Sequence, residues 1–530
     1  MSEVLENIQS EESGNLPVSW VRARLSEIAA INPTLDKSEI EDGLLVSFVP
    51  MPAVEAETGK IDVSTHKPFS DVKKGYTGFL EGDVLFAKIT PCMENGKMAV
   101  VPALKNDLGF GSTEFHVLRP AGSISPDYLY YFVSSKAFRI VAERNMTGAV
   151  GQRRVPTTFL NDSEIPLPSA AEQQRIVIKL DELFSELDKG LENLRTAQQQ
   201  LKVYRQALLK HAFEGKLTAK WRAQNPDKLE SAEALLERIH QEREVRHQQK
   251  LAEWKDAQQA WEAAGKIGRK PAKPREPKAL PPLTAEELAE LQDLPVGWNW
   301  VRIGEAFGVY VGSTPSRSTP SYWGGKIPWV SSGEVAFCRI KSTKERITEL
   351  GYLNASTEIH PSGTVVLAMI GEGKTRGQAA ILDVAAAHNQ NTAAIRVSES
   401  GCLPEFLYFY LCFQYEMTRK LGSGNNQKAL NKERVSEMRI PFLSLAEQQT
   451  LVQLVDEKFS VIDQLELTIT TSLQQAESLR QSILKKAFAG QLVAQCPDDE
   501  PASVLLERIR SERTAQQPAR KRGRKVATSA

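Results

Sequence analysis

Three things are scarce in this sequence, and each scarcity removes a class of function. The first is net charge: 66 Lys and Arg offset 66 Asp and Glu. No whole-chain field draws such a protein to nucleic acid, so any binding of that kind must come from local basic patches. The second is cysteine. Cys92, Cys338, Cys402, Cys412 and Cys496 are odd in number, scattered and without a CxxC pair, which suits reduced thiols and neither a disulfide framework nor a zinc site. The third is the long apolar run. The strongest, Phe406–Phe413, falls far short of the ~18 residues that cross a membrane, and the acidic N-terminus lacks the layout of a signal peptide. A cytoplasmic protein without membrane contact is expected.

Catalytic patterns are missing as well. His66, His116, His211, His240, His247, His360 and His388 form no ligand-spaced cluster, so no metal site is expected. The single Pro-Pro, Pro281-Pro282, is not the Asn/Asp-Pro-Pro-aromatic run that holds a flipped adenine. Ala368-x4-Gly373-Lys374-Thr375 satisfies a relaxed phosphate-loop pattern. The next residues, Arg-Gly-Gln-Ala-Ala-Ile-Leu-Asp, read as a returning strand and not as the helix such a loop needs. A strand–turn–strand hairpin is expected there. No nucleophile, general base, cofactor site or metal site is assigned to this chain.

What the sequence does have is a repeat. Residues 165–217 align without a gap on 440–492, and 24 of the 53 positions are identical, among them Asp181/Asp456, Phe184/Phe459, Arg205/Arg480 and Gly215/Gly490. Weaker echoes precede each copy: Leu16-Pro-Val-Ser-Trp20 against Leu294-Pro-Val-Gly-Trp298, and the run from Gly82 to Ile89 against that from Gly363 to Ile370. Leu235-Leu-Glu-Arg-Ile239 returns as Leu505-Leu-Glu-Arg-Ile509. A chain of 530 residues exceeds the roughly 250–300 that one core usually serves. The order is variable globule, repeated helix, variable globule, repeated helix.

The spacing specifies the helices. Ser169 with Glu172, and Ser444 with Glu447, form S-x-x-E capping boxes. Beyond them Leu180, Leu187, Leu194, Leu201 and Leu208 recur every seven residues, as do Val455, Ile462, Ile469, Ala476 and Ile483, the seam of a coiled coil. Gln198, Arg205, Glu466 and Arg480 interrupt the secondary seam positions, where polar groups often fix register. Helices over 170–213 and 445–488 are expected to end at Gly215 and Gly490 and to pair as an antiparallel coiled coil. The globules read as α/β (α+β), with short apolar strands such as Val84–Ala87 and Val365–Ala368 between Gly, Pro and Asn turns. The expected segments are 1–164 and 294–439 for the two globules, and 165–293 and 440–530 for the repeated regions. The central region adds a charged helix over 231–264 with Trp254 and Trp261, then a Pro-rich basic linker over 265–282. The tail Arg520–Lys525 is a solvated charge run. Trp20, Trp298 and Trp300 are expected to be core anchors.

Two variable domains, each opening near LPxxW and closing in IPxxxxAEQQ, a long helix and KAFxGxL, resemble the target-recognition domains and conserved regions of type I restriction–modification specificity subunits. Lys-Trp-Arg at 220–222 fits that pattern; the second copy departs from it with Val-Ala-Gln-Cys-Pro. The resemblance covers nearly the whole chain. It implies a non-catalytic subunit that reads a bipartite, asymmetric site on double-stranded DNA, one half per recognition domain, with the helices setting the gap. It also implies two modification subunits carrying S-adenosylmethionine and adenine methylation, and restriction subunits carrying ATP- and magnesium-dependent translocation and cleavage. Base reading needs Arg, Lys, Asn, Gln, Ser or Thr at loop tips. The candidates are Lys88, Thr90, Asn95, Lys97, Gln152, Arg153 and Arg154 in the first half, and Lys374, Arg376, Gln378, Asn425, Asn426, Gln427 and Lys428 in the second. Each could equally be a solvated turn residue. By physics alone, a duplicated coiled-coil scaffold with two protein-binding heads fits too; a self-sufficient nuclease or ATPase fits poorly.

Overall fold

The computed structural model describes residues 16–516 apart from 150, 268–269, 275, 277–279, 372 and 421–428. The chain divides into two compact units, Met1–Thr196 with Ile469–Ala530, and Ala197–Thr468. Both boundaries fall inside a helix, because the two 44-residue helices Ala170–Phe213 and Leu445–Phe488 are each shared between the units.

In the first unit, Val21–Arg24 pairs antiparallel with Glu164–Leu167, clamping the entry and exit of the globule together. One sheet runs in the order 29–31, 115–120, 84–87, 98–100, and a second in the order 66–68, 45–49, 109–111, 77–79. Strand 84–87 is buried at every position, as a continuous apolar tetrad requires of a strand covered on both faces. The second unit repeats this plan. Asn299–Arg302 pairs with Arg439–Phe442, one sheet is ordered 308–311, 392–396, 365–368, 379–382, 338–340, and the other 345–347, 323–330, 387–388. The expected α/β globules and long paired helices are present.

Each core runs straight from the globule into the helices. In the first unit Trp20, Leu25, Tyr128 and Ile165 pack with Ile176, Leu180 and Phe184 of the first helix, Leu484 and Ala487 of the second, and Leu505 and Ile509 behind it. In the second unit Trp298, Phe307, Phe406 and Ile440 pack with Leu209 and Phe213, Leu451 and Val455, and Leu235 and Ile239. The charged helix Ala232–Ala263 places its first turns in this core, and beyond them Arg246 pairs with Glu399 at 3.4 Å. Further along, Trp254 donates its indole N–H to the Pro271 carbonyl at 3.0 Å.

Helix pairing is antiparallel within each unit. In the first, Arg480 pairs with Asp188 and stacks 4.4 Å from the Phe184 ring, while Arg175, nearer the start of the first helix, pairs with Asp499 beyond the end of the second at 2.6 Å. In the second unit Arg205 pairs with Asp463 and stacks 4.4 Å from Phe459; Arg222, past the end of the first helix, pairs with Glu447 at the start of the second. The two Arg–Phe–Asp sets are repeat equivalents. They explain the two arginine interruptions of the seam, Arg205 and Arg480: a guanidinium gives up little to stack on an aromatic ring and bond a carboxylate at the same time. Leu180, Leu208, Val455, Ile462, Ile469 and Ile483 are buried, whereas Leu187, Leu194, Leu201 and Ala476 are half-buried, as expected where two helices lie together without a globule over them.

The capping boxes form only by half. Glu172 and Glu447 each bond Ser169 or Ser444 through the backbone, at 3.1 and 3.3 Å, but their carboxylates do not serve as box partners. The Glu172 carboxylate accepts the Trp20 indole N–H at 2.9 Å and the Gln495 amide. The Glu447 carboxylate accepts the Trp298 indole N–H at 2.8 Å, the Thr218 hydroxyl at 2.7 Å and Arg222 at 2.5 Å. Both glutamates are buried, so the indole partner, which donates a hydrogen bond and fills space together, displaces the local alternative. Trp20 and Trp298 are thus hydrogen-bonded anchors, not apolar ones alone.

Gly215 (φ +69) and Gly490 (φ +70) close the two helices. Their successors, Lys216 and Gln491, donate back to His211 and Lys486 at 3.0 and 2.9 Å, a left-handed stop that favours glycine. A side chain at either glycine would also meet Pro295 Cγ at 2.2 Å or Pro17 Cγ at 2.4 Å.

The two glutamates should respond differently to neutralisation. Burial pushes the Glu172 carboxyl above the usual carboxylate range, against the lowering effect of its Trp20 and Gln495 bonds, and these partners are neutral. Glu172→Gln should cost under about 1 kcal/mol. Glu447→Gln should cost roughly 3 kcal/mol, because Arg222 loses its buried counter-charge. Calorimetric unfolding of the full chain checks this; equal costs would contradict the assignment.

Candidate nucleic-acid interface

In the first unit, strands 84–87 and 98–100 pair antiparallel with Val84 opposite Val100, leaving 88–97 as the connecting tip. The segment before the long helix is bound to this tip. Val155 N donates to the Lys88 carbonyl at 2.9 Å, Thr90 N to the Arg153 carbonyl at 3.0 Å, and Ile89 bridges Arg154. Two candidate groups that are some sixty positions apart in sequence thus share one surface. Within it, roles divide. Arg154 forks onto the Glu114 carboxylate at 2.9 and 2.8 Å, which holds that carboxyl below its ordinary range. Lys97 is spent on the Met51 and Val54 carbonyls at 3.2 and 2.7 Å. Thr90 donates to Glu94 at 2.8 Å, and Arg153 lies 3.6 Å from Glu143. Asn95 and Gln152 are exposed and Lys88 is half-buried.

The second unit repeats two bonds of this scaffold. Leu430 N donates to the Met369 carbonyl at 3.0 Å, as Val155 does to Lys88, and Met369 N donates to the Asn391 carbonyl at 2.9 Å, as Lys88 N does to Glu114. Strand 365–368 returns as 379–382 with Leu367 opposite Ala379, so the stretch with a phosphate-loop pattern is a hairpin. Lys374 is exposed at its tip and its carbonyl takes the Tyr415 hydroxyl at 2.6 Å. Arg376 donates to the Arg419 carbonyl at 2.7 Å, and Gln378 N closes the turn on the Thr375 carbonyl at 3.0 Å. Asn425, Asn426, Gln427 and Lys428 lie outside the described residues, as does the basic tail.

Residue spacing carries no hint of a buried polar chain in the second unit. Two of the seven histidines do meet: His360 Nε2 and His388 Nε2 are 3.1 Å apart, and both rings are fully buried. The proton order is set from one end. Arg396 Nε can only donate, and it lies 3.1 Å from His360 Nδ1, so that nitrogen accepts. His360 must then donate from Nε2 to His388 Nε2. His388 in turn donates from Nδ1 to the Thr392 hydroxyl at 2.8 Å, and that hydroxyl donates to the Asn389 carbonyl at 3.0 Å. Arg396 is held by Glu358 at 2.7 Å and lies 4.2 Å from the Tyr310 ring. Residues 28 apart, one in an isolated bridge and one in a short strand, carry no local signature. The first unit holds a different buried polar arrangement: Asn32 Nδ2 lies 2.9 Å from His116 Nδ1, and His116 Nε2 bonds the Val155 carbonyl at 2.8 Å.

The fold and these surfaces define a class: a duplicated domain of two packed sheets, each copy presenting a polar-tipped hairpin beside the segment that leads into a long paired helix. The family model of the type I restriction modification DNA specificity domain matches the chain twice, at residues 17–195 and 295–475. The specificity subunit of the type I restriction enzyme EcoAI from Escherichia coli is 34% identical over 314 residues, 56% of this chain and 53% of that protein, so this match spans about half of the relative's length. The EcoEI specificity subunit, also from Escherichia coli, is 28% identical over 527 residues, 88% of this chain and 82% of that one. A solved structure of the type I R-M system superposes with a TM-score of 0.63 at 21% identity, covering 90% of this chain and 100% of its own. The HsdS subunit from Thermoanaerobacter tengcongensis does so with a TM-score of 0.52 at 20% identity, covering 91% and 100%. The chain belongs to the type I restriction–modification DNA specificity family.

The histidine chain has a pH signature. Burial first, then the charges of its neighbours, pushes His360 down to about 2, and burial pushes His388 down to about 4. Both are therefore neutral when folded but take up protons near 6.5 when unfolded. Their contribution is complete above that value and is lost as pH falls below it, by up to about 1.4 kcal/mol per pH unit for each histidine. The melting of the second unit should drop steeply between about pH 6.5 and 4.5, and a His360→Phe/His388→Phe double variant that still folds should flatten this slope. An unchanged slope in that variant would place the acid sensitivity elsewhere.

Proposed function

We propose that the chain is the non-catalytic DNA-specificity subunit of a type I restriction–modification complex, directing adenine methylation or restriction by its partners. The observation that carries this reading is the duplication itself: a specificity domain matched twice, each copy with a polar hairpin tip bonded to the segment before its long helix. One recognition domain, within 1–164, would read one half of a bipartite double-stranded DNA site, and the other, within 294–439, the second half. The conserved regions, 165–293 and 440–530, would set the gap and receive the partners. These are two modification subunits, which supply S-adenosylmethionine and the methylation chemistry, and restriction subunits, which supply ATP- and magnesium-dependent steps. No helix among the described residues is long and apolar enough to cross a membrane, and the complex would act in the cytoplasm on chromosomal and incoming DNA.

The geometry supports a division among the candidates. Lys88, Asn95, Gln152 and Lys374 keep side chains free enough to meet DNA. Lys97, Arg154 and Arg376 bond neighbouring carbonyls or carboxylates and would serve mainly to shape the surface. Phosphate contacts position a reader while base contacts specify, so Lys88→Ala and Lys374→Ala should weaken binding evenly across sequences and reduce its salt dependence.

The spacer function has a direct test. Four residues inserted after Thr196 add about 6 Å of helix, a little more than one turn, which corresponds to one to two base pairs of B-DNA. Both half-site sequences should be retained in the methylated motif while the undefined gap lengthens, with some loss of affinity from the disturbed seven-residue pattern. An unchanged gap in a variant that still methylates would remove the helices as the ruler. DNA binding that ignores salt altogether would favour a protein-binding scaffold instead.

A further inference from the structure

The histidine chain ends under a turn that lies outside the hairpin tips. Asn389, Gln390 and Asn391 join the short strand 387–388 to strand 392–396, a fully buried strand of the main sheet. From Ala386 to Val397 one side chain is exposed, that of Gln390; Asn391 is half-buried and the others are buried. We propose that Gln390 is a specificity-determining residue that reads an adenine in the half-site taken by the second recognition domain. This rests on the DNA-reading function proposed above and extends it to a residue outside the hairpin tips.

Position is the first argument. The Asn391 carbonyl accepts Met369 N, at the foot of the hairpin tip that carries Lys374 and Arg376. On the other side Ser313 N donates to the His388 carbonyl at 3.0 Å, and the Thr314 hydroxyl bonds Gln390 Oε1. The turn therefore stands between two polar loops, on the surface where the candidate contacts gather.

Rigidity is the second. An exposed turn glutamine is ordinarily a solvated residue with many rotamers. Here Asn389 N is held by the Val330 carbonyl at 3.0 Å, Asn391 N by the Asn389 side chain at 3.1 Å, and the Asn389 carbonyl by the Thr392 hydroxyl at 3.0 Å. Beneath these runs the ordered sequence Arg396, His360, His388, Thr392, in which each histidine proton has one place. A buried polar network of this kind is costly unless fully satisfied, and it fixes a single arrangement when it is. Recognition sites need such support, since a reader displaced by about an ångström loses its partner.

Chemistry is the third. A carboxamide offers one acceptor and one donor side by side, matching N6–H and N7 of adenine in the major groove. The Thr314 hydroxyl donates to Oε1. One lone pair of Oε1 and both Nε2 hydrogens are left for a base edge.

The test compares modification complexes assembled with the wild-type chain, Gln390→Ala, Gln390→Glu and Thr314→Val. The methylated motif is read by single-molecule sequencing, and purified complexes are assayed in competition with duplexes altered one base pair at a time. For Gln390→Ala, discrimination at one position of one half-site should fall about 5- to 150-fold, with the other half-site untouched. Gln390→Glu should shift that position from adenine towards cytosine, whose N4 amino group a carboxylate accepts. Thr314→Val should relax the same position more weakly. A full motif in Gln390→Ala, or a loss spread evenly over all positions or both half-sites, would overturn the proposal. A wild-type complex with no bipartite motif would instead defeat the underlying DNA-reading function, so the two failures are distinguishable.

Discussion

A buried carboxylate bonded to an indole N–H is the joint on which each unit depends. Glu172 and Glu447 sit at the third position of a long helix, where unpaired backbone N–H groups and the helix dipole favour negative charge. Each takes the tryptophan that opens its globule, Trp20 or Trp298. Beside each tryptophan, the proline of the same opening motif lies against the glycine that ends the other helix. One contact thus joins the start of one helix, the entry to the globule and the end of the second helix. No globule can be completed by a single repeat, and this is why each compact unit takes part of both long helices, the first by joining Met1–Thr196 to Ile469–Ala530.

The two copies solve the same electrostatic problem with different residues. In the second unit Arg222 and Thr218 supply charge and a hydroxyl to Glu447. In the first, where the chain reads Val-Ala-Gln-Cys-Pro, Gln495 bonds Glu172 and the positive charge moves to Arg175, which pairs with Asp499. The ending that departs from the repeat therefore keeps the joint and changes its charge. The globules differ in their buried polar groups as well: Asn32 and His116 pair in the first, and a four-member chain runs through the second. Buried polar groups must find partners or cost stability, so divergence under a reading surface comes as whole networks and not as single substitutions.

Much of the architecture was legible in residue order. Seven-residue leucine spacing, a serine at each start and a glycine at each end place the helices over 170–213 and 445–488, because these signals act within a turn or two of chain. The hairpin at 365–382 was legible for the same reason: apolar tetrads flank a glycine-rich turn, and the repeat shows no need for a phosphate there. The Arg–Phe–Asp pairings were half legible, since Arg205 and Arg480 stand out as polar interruptions while their partners lie on the opposite helix.

Periodicity and short-range chemistry were enough to establish the duplication, the helices, their seam and the presence of two α/β heads. Three-dimensional packing was needed for the rest: Glu172 and Glu447 abandon their capping boxes for indoles, Lys97 and Arg154 are spent on the protein's own carbonyls and carboxylates, and His360 and His388 meet. These are contacts between strands and loops distant along the chain. Local signals cannot specify them, because a side chain's partner is set by which backbones the core brings within about 3 Å.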